Sequence, residues 1–528
     1  MFFHNSIRSA TLTLLATLGL FAAAAATPGA NQTSTTTPVT VSGNLPYQIN
    51  LQRYDMGTTD MPTLHSFAAA SFGGQWIIAA GLTNGLHGFD LDQSSIPERK
   101  QNRDLWLIDP VTKMSWHRGL DPLDVGSGLT ESQVLSLTPA NSQFEQVGDT
   151  LYMSGGYGDD NPYDDTSRGT FDALTAFHLP PLIDWIKGGA GTAAEHIRQI
   201  NDPLFQVTGG DMYQTGGNMH LVFGQNYEGR YHGSLSGEYT KQVRSFSVQD
   251  DGTNLGFQHL QSTTPEDHYR RRDLNVFPAM QANPDSSLTE HLVALSGVFT
   301  ESFGTWTVPV EIDSDGNPTQ IDHGLDPLNT ANVLDADPSV FKQGMNNYYS
   351  AKLGLFSEAS GTMHEILFGG ITLQEYDPTH VDADANGFVT DRFLPNTSQI
   401  SSVVRLPDGS YEQHYLGAFP ELLTPDNDLM RFGSNAEFFL ADNVTTYPNG
   451  VIALDALTDT TTLGYIYGGL IANAPHVFNN PTGLSSASGE VFKVVLTPIP
   501  EPASIVLGFA AVVVTIFLSG RSRMITGA

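Results

Sequence analysis

WIIAAG, at Trp76–Gly81, is an apolar run that ends in glycine, and five similar phrases follow it in this 528-residue chain. The other five are LYMSGG (Leu151–Gly156), MHLVFG (Met219–Gly224), LVALSG (Leu292–Gly297), EILFGG (Glu365–Gly370) and YIYGG (Tyr465–Gly469). Their final glycines are spaced 75, 68, 73, 73 and 99 residues apart. A near-constant period in a chain with few helical patterns predicts repetition of one β-sheet unit.

A second strand pair follows several of these phrases. After the first phrase, NRDLWLIDPVTKMSW (Asn102–Trp116) reads as a strand, an Asp-Pro turn and a second strand. Val243 and Ser401 begin similar hairpins, each with an Asp-Gly turn. Each repeat therefore predicts two inner strands followed by an outer hairpin, which is the plan of a β-propeller blade.

The glycine doublets add a family resemblance. Gly155–Gly156, Gly369–Gly370 and Gly468–Gly469, together with the later Trp116, resemble the kelch repeat. The other three phrases end in a single glycine, and the period is longer than the roughly 50 residues of kelch. The resemblance implies an all-β fold, a six-bladed kelch-like β-propeller with long loops over residues 45–498.

The first predicted strand has a role in closing this ring. PYQINLQRY (Pro46–Tyr54) alternates in strand fashion, and we expect it to pair with the last blade around Val491–Leu496. Such a closure would hide sheet edges that otherwise invite aggregation. An array of β-sandwich domains is the alternative architecture.

The composition excludes several classes of function. The chain has 56 acidic against 24 basic residues and a net charge of −32, which argues against nucleic acid as a partner. It has no cysteine, which excludes disulfides, thiolate metal sites and cysteine nucleophiles. The Tyr-Cys copper cofactor of oxidases among kelch-like propellers is excluded for the same reason. We find no Gly-x-Ser-x-Gly, Walker or His-Glu-x-x-His pattern, and we assign no catalytic residue.

The first 26 residues read as a secretory signal peptide. Arg8 precedes an apolar run at Thr11–Ala26 that is short for a membrane span. Ala24 and Ala26 supply the A-x-A pattern that a signal peptidase needs. Residues 27–44 are predicted to be a polar linker.

Residues 499–528 predict a sorting tail. Pro500, Glu501 and Pro502 precede an uncharged run at 505–519, and Arg521 and Arg523 follow it. The run predicts a transmembrane helix with its basic end in the cytoplasm. The three parts together resemble the PEP-CTERM sorting signal. The resemblance implies recognition by an exosortase, anchoring in the inner membrane through the tail before processing, and delivery to the cell envelope, the surface or the extracellular matrix of a bacterium that makes exopolysaccharide.

Two further motifs are candidate binding sites. Asp382, Asp384 and Asn386 have the D-x-D-x-N-G spacing of a calcium loop, although Phe393 stands where the twelfth-position glutamate belongs. A plain Asx-rich turn is the alternative. The cluster formed by Arg270, Arg271 and Arg272 could face an anionic polysaccharide, and structural ion pairs are the alternative.

These patterns favour an exported binding or structural protein of the envelope or matrix, with a carbohydrate or protein partner held by blade loops. The alternative is a polysaccharide lyase or hydrolase on the same scaffold. That activity would require clustered carboxylates, or histidine with tyrosine and arginine, at the central channel.

Overall fold

A computed structural model describes residues 39–41, 44–57, 60–86, 100–160, 167–231, 237–300, 304–320, 339–477 and 484–499. Two strands come before the repeating sheets, namely β1 (Thr40–Val41) and β2 (Tyr47–Arg53). Four antiparallel four-stranded sheets then follow, each with its strands side by side in chain order.

The strands of these four blades are as follows. The first blade contains β3 (Ala68–Phe72), β4 (Gln75–Ala79), β5 (Asp104–Asp109) and β6 (Met114–Gly119). The second contains β7 (Gln143–Val147), β8 (Thr150–Ser154), β11 (Ala173–His178) and β12 (Ile197–Asn201), with the ribbon β9 (Tyr157–Asp159) and β10 (Arg168–Thr170) between them. The third contains β13 (Asp211–Thr215), β14 (Asn218–Val222), β17 (Val243–Asp250) and β18 (Leu255–Ser262), with the ribbon β15 (Gln225–Asn226) and β16 (Glu238–Tyr239). The fourth contains β19 (Asn275–Ala282), β20 (Leu288–Leu295), β21 (Val310–Ile312) and β22 (Pro318–Gln320).

The next sheet has six strands. Its antiparallel centre consists of β23 (Ala351–Ser357), β24 (Thr362–Ile371), β27 (Asn396–Arg405) and β28 (Tyr411–Ala418), with the ribbon β25 (Gln374–Tyr376) and β26 (Phe388–Thr390). Two short strands are added in parallel, β1 on β28 and β30 (Ile452–Ala453) on β23. We call it the mixed sheet.

The last blade joins the two ends of the described fold. It contains β29 (Ala436–Leu440), β31 (Thr461–Gly468) and β34 (Val491–Pro498), and a ribbon of β32 (Leu470–Ala472) and β33 (Ser485–Ala487) accompanies it. Its outermost strand is β2, which pairs antiparallel with β34 from Tyr47 opposite Pro498 to Arg53 opposite Phe492. The predicted closure of the ring by Pro46–Tyr54 is therefore confirmed, and we call this sheet the closing blade.

The two α-helices of the described residues have local sequence signals. The first, α1 (Glu131–Leu135), starts with a capping box, in which Gln133 N donates to Thr130 Oγ1 and Thr130 N donates to Gln133 Oε1. The second, α2 (Leu179–Ile186), has prolines in its first turn, where their missing N–H groups are not needed.

The apolar phrases form the second strand of each repeat and are buried on both faces. In β4, for example, Ile77 packs in the core between the first and second blades. Its neighbour Ile78 packs in the core against the closing blade. Successive side chains of a strand point to opposite faces, so a strand between two packed blades needs apolar residues without alternation.

The glycine that ends each phrase has a left-handed backbone. At Gly81 φ is +87°, and a Cβ atom there would lie 2.7 Å from the carbonyl oxygen of His65. The preceding Ala80 is also left-handed, with φ of +61°. At the last residue of the phrase, the left-handed backbone and the lack of room for a Cβ atom therefore both require glycine.

The prediction of a six-bladed propeller is wrong. The described residues form five four-stranded blades, and the mixed sheet between the fourth blade and the closing blade has six strands with two parallel pairings. The difference arises from chain segments outside the repeat: β1 precedes the propeller, and β30 belongs to the long connection from β29 to β31. Part of the predicted linker at 27–44 is thus a strand. The all-β propeller fold itself is confirmed.

The prediction of a membrane anchor also requires correction. Among the described residues no helix is long and apolar enough to cross a membrane, since α1 has five residues and α2 has eight. The fold described here therefore has no transmembrane helix, and the inner-membrane localisation built on one is wrong for this part of the chain. The predicted span at 505–519 lies outside the described residues.

Candidate functional site

The centre of the propeller is encircled by backbone hydrogen bonds. Six residues that lie just before the innermost strands take part: Ser66, Asn141, Gly209, Asp273, Tyr349 and Asn435. Each N–H donates to the carbonyl oxygen of the preceding member, and Ser66 N closes the cycle on Asn435 O, with N–O distances from 2.6 to 3.3 Å. We call this cycle the central hydrogen-bond ring. It satisfies main-chain groups that the propeller axis would otherwise leave unpaired.

A cluster of ionisable side chains lies on the inner strands next to this ring. Lys352 Nζ on β23 contacts Asp211 Oδ2 on β13 at 2.7 Å. Tyr349 OH donates to Glu437 Oε1 on β29 at 2.5 Å, and Lys352 Nζ lies 4.4 Å from the centre of the Tyr349 ring. Glu145 on β7 accepts a 3.4 Å hydrogen bond from the main chain of β13. These residues, with Tyr213, form what we call the channel cluster.

Burial makes the channel carboxyls weak acids. Desolvation raises the pKa of Glu145 to about 8, and the charge of Asp211 adds to this shift. Desolvation raises the pKa of Glu437 to about 7, although Lys352 and Tyr349 oppose the shift. The pKa of Asp211 is also raised by burial, against the effect of Lys352. Glu145 and Glu437 therefore retain protons near neutral pH, which is the state required of a general acid.

A surface cleft lies on the first blade, away from this cluster. Its volume is about 670 Å³. It is lined by residues that come before β3, after β4, and before and within β5: Met61, Pro62, Thr63, Leu64, Thr83, Gln101, Asn102, Arg103, Asp104 and Trp106. We call it the first-blade cleft.

The walls of the first-blade cleft are held in place by hydrogen bonds. The closing blade fixes one wall, because Tyr467 OH donates to Pro62 O at 2.6 Å and Leu64 N donates to Ser488 O at 3.1 Å. On the other wall, Trp106 Nε1 donates to Asn102 Oδ1 at 3.3 Å. Both walls are therefore preorganised, and little conformational entropy would be lost when a ligand binds.

The side chains of this cleft combine an aromatic ring with polar groups. Trp106 is half-buried, and one face of its indole stacks on His117 with ring centres 4.3 Å apart. Asp104 Oδ2 contacts Nδ1 of the same histidine at 3.1 Å. An apolar ring beside amide and carboxylate groups suits a ligand with both CH faces and hydroxyl groups.

A second cleft has fewer side chains that could bind a ligand selectively. Its volume is about 420 Å³, and it lies along β2 and β34. Its described lining consists of Gln48, Ile49, Asn50, Gln52, Leu416, Thr460, Val495 and Thr497, without a charged or aromatic side chain.

The predicted calcium loop forms a turn between β25 and β26. Asp384 Oδ1 accepts hydrogen bonds from Asn386 N at 2.8 Å and Phe388 N at 2.9 Å, so this oxygen bonds to the loop's own amides. Asp382 is exposed. Within the described residues, no group of three or more His, Asp or Glu side chains could hold a metal ion. The geometry favours the Asx turn over a calcium site.

The predicted basic cluster is buried. Arg271 is fully buried, and its guanidinium donates to the carbonyl oxygens of His268, Ser296 and Val308. Arg272 donates to the hydroxyl groups of two tyrosines, Tyr231 and Tyr239. Arg270, also buried, donates to a main-chain oxygen. The three arginines therefore support the loops of the third and fourth blades and do not form an open basic patch.

The processing residues cannot be placed. Ala24 and Ala26, and the triplet Pro500, Glu501 and Pro502, lie outside the described residues.

Sequence reasoning missed both the channel cluster and the cleft. A usable signal was present for the cluster, because Lys352 and Glu437 each interrupt an otherwise apolar strand. A charged residue within an apolar strand indicates that polar groups lie near that strand in the folded protein. For the cleft, Trp106 was recognised only as part of a strand.

No family model matches this chain, and no curated protein matches it. Among solved structures, one described as "Structure of YjhT" is similar over 82% of this chain and 95% of that chain, with 10% sequence identity and a TM-score of 0.39. The assignment of a β-propeller follows from the sheet topology of the chain itself.

Proposed function

We propose that this protein is an exported carbohydrate-binding β-propeller that holds its ligand in the first-blade cleft. The observation that carries the proposal is the preorganised cleft, in which Trp106 lies beside Asn102, Arg103 and Asp104. Aromatic rings pack on the CH faces of sugars, while amides and carboxylates bond to their hydroxyl groups. A propeller supports such a role because its rigid blades hold binding loops in fixed positions.

The binding test compares two tryptophans of the same hairpin. Replacing Trp106 with alanine should weaken binding to a responsive polysaccharide at least about tenfold, because the stacking surface is lost. Trp116→Ala is the matched control, since Trp116 is also half-buried but does not line the cleft. Titration calorimetry of the purified protein measures both affinities. Equal losses in the two variants, or no binding to neutral, basic or acidic polysaccharides, would contradict the proposal.

A polysaccharide-cleaving enzyme is the second candidate, and the channel cluster favours it. Glu145 and Glu437 keep protons near neutral pH beside other ionisable groups, as an acid catalyst requires. The same titrations should therefore be followed by chromatography of the polysaccharide. Chain shortening that disappears in Glu145→Gln would establish the enzyme, whereas binding with unchanged chain length supports the binding protein.

Export and sorting are part of the proposal and rest on the two ends of the sequence. The signal peptide would be removed after Ala26, and an exosortase would recognise Pro500, Glu501 and Pro502. Replacing this triplet with three alanines should reduce the fraction of the protein delivered to the envelope or medium, as measured by immunoblots of cell fractions. Unchanged delivery would show that the triplet is not the sorting signal.

A further inference from the structure

We propose that the first-blade cleft selects sugars that carry a protonated amine, such as polymers of glucosamine, over polymers of uronic acids. This inference rests on the proposed function, because it names the ligand class of the same cleft. The Arg270–Arg272 cluster suggested an anionic ligand, but those three side chains are buried. The ligand inferred here has the opposite charge.

The arginine that lines the cleft offers no free positive charge. Arg103 donates hydrogen bonds to Asp121 Oδ1 and, at 2.9 Å, to Glu131 Oε1. One guanidinium is therefore held by two carboxylates, and the three groups together carry a net negative charge. A uronate in the cleft would have to compete with both carboxylates for this arginine.

The carboxylate that lines the cleft remains accessible. The side chain of Asp104 is 34% exposed, and its contact with His117 uses only Oδ2. No described residue donates a hydrogen bond to Oδ1, which can therefore accept from a ligand, and an ammonium group is its strongest donor. The amide of the neighbouring Asn102 is already engaged with Trp106 Nε1 and with the main chain, so Asp104 is the main polar anchor.

Trp106 adds a second preference for cations. The face of an indole ring attracts an ammonium group as well as the CH groups of a pyranose. Trp106 and Asp104 lie on the same face of β5, two residues apart, so one bound amino sugar could contact both. The amine would then gain a carboxylate and an aromatic partner together.

The charge around the cleft favours the same ligand class. Asp60 and Lys100, which adjoin lining residues in the chain, add one charge of each sign, whereas Asp121 and Glu131 place two carboxylates beside Arg103. The whole chain carries a net charge of −32. A cationic sugar is therefore attracted to this face and a uronate is repelled.

The test compares three oligosaccharides of equal length on the purified full-length chain by titration calorimetry: glucosamine, N-acetylglucosamine and a uronic acid. We expect glucosamine to bind about tenfold more tightly than its acetylated form, which is the combined effect of an exposed ion pair and a cation–π contact. The uronic acid should bind most weakly. Added salt should weaken only the binding of glucosamine.

Two variants separate a specific site from general attraction to an acidic protein. Asp104→Asn should weaken the binding of glucosamine more than the binding of the acetylated sugar, and should thereby remove most of the preference. Asp408→Asn, in an exposed turn of the mixed sheet, should leave the preference unchanged.

Each outcome has a defined meaning. Uronic acid binding as tightly as glucosamine would overturn the inference and leave the proposed function intact. A preference for glucosamine that survives both Asp104→Asn and Trp106→Ala would also overturn it, because general surface charge would explain the attraction. Failure of all three sugars to bind would overturn both the inference and the proposed function.

Discussion

At the scale of the residue, the repeating glycine is a steric requirement. The six phrase-ending glycines all have positive φ, between +81° and +107°. The residue before each of them is also left-handed, but Ala80, Phe223 and Ser296 occupy it as well as glycine. Residues other than glycine can therefore adopt the left-handed backbone at the position before the final glycine. At the final position, neighbouring atoms lie too close for a Cβ atom, so only glycine fits.

Two glycines with similar φ should respond differently to alanine. Gly81→Ala should lower the free energy of unfolding by more than about 3 kcal/mol. The left-handed backbone accounts for about 1–2 kcal/mol of this loss, and the remainder arises because the new Cβ would lie 2.7 Å from the His65 carbonyl oxygen. Gly252→Ala, with φ of +84° and nothing within 4 Å, should cost only the backbone contribution. Urea denaturation measures both free energies of unfolding. Equal values would show that the space around Gly81 can relax.

At the scale of the element, β2 connects the start of the described fold to its end. Ile49 and Leu51 point into the core of the mixed sheet and closing blade, whereas Gln48 and Gln52 are exposed. The exposed ion pair between Arg53 and Glu490 adds little to this closure. The strand therefore closes the ring mainly through its buried face and its ladder with β34.

Substitutions on the two faces of β2 test this account. Leu51→Ala should lower the free energy of unfolding by about 2–4 kcal/mol, because it leaves a cavity in a packed core. Gln52→Ala on the exposed face should change it by less than about 0.5 kcal/mol. Thermal and urea denaturation provide the measurement. Similar small effects from both variants would indicate that the propeller is stable without this strand.

At the scale of the whole molecule, the propeller concentrates ionisable groups at its axis. The channel cluster draws Glu145, Asp211, Lys352 and Glu437 from four different sheets. Each lies on an innermost strand, and desolvation raises the pKa values of the three carboxyl groups, to about 8 for Glu145 and about 7 for Glu437. Ring stability is thereby linked to pH.

The sign of this linkage can be predicted. The folded pKa of Glu145 is about 8 and that of Glu437 about 7, both above the ordinary value of 4.5. The unfolded chain therefore loses these protons first, and the contribution to stability falls as pH rises from about 4.5 to 8. Glu145→Gln should flatten this decline, as measured by the urea midpoint at pH 5 and pH 8. Glu421 is exposed, so the control Glu421→Gln should keep the pH dependence of the unchanged protein. If the unchanged protein and both variants had the same pH dependence, Glu145 would not link stability to pH.

The sequence by itself determined the repeating β-sheet unit and the pairing that closes the ring. Both follow from local patterns, because an apolar strand and its final glycine report burial and backbone conformation within a few residues. The strands β1 and β30, which pair with the mixed sheet, lie outside the repeated sequence pattern. The spacing of the repeats therefore could not predict them.

Only the tertiary structure decided where the chemistry lies. Glu145 and Glu437 are almost 300 residues apart in the chain, and the fold places both within electrostatic range of Asp211 and Tyr213. The first-blade cleft likewise combines Pro62 and Thr63, which precede β3, with Trp106 on β5. Arg271 reads as a surface charge in the sequence, yet it is fully buried and bonded to main-chain oxygens. Burial and proximity between distant segments are properties of packing, and a local pattern cannot encode them.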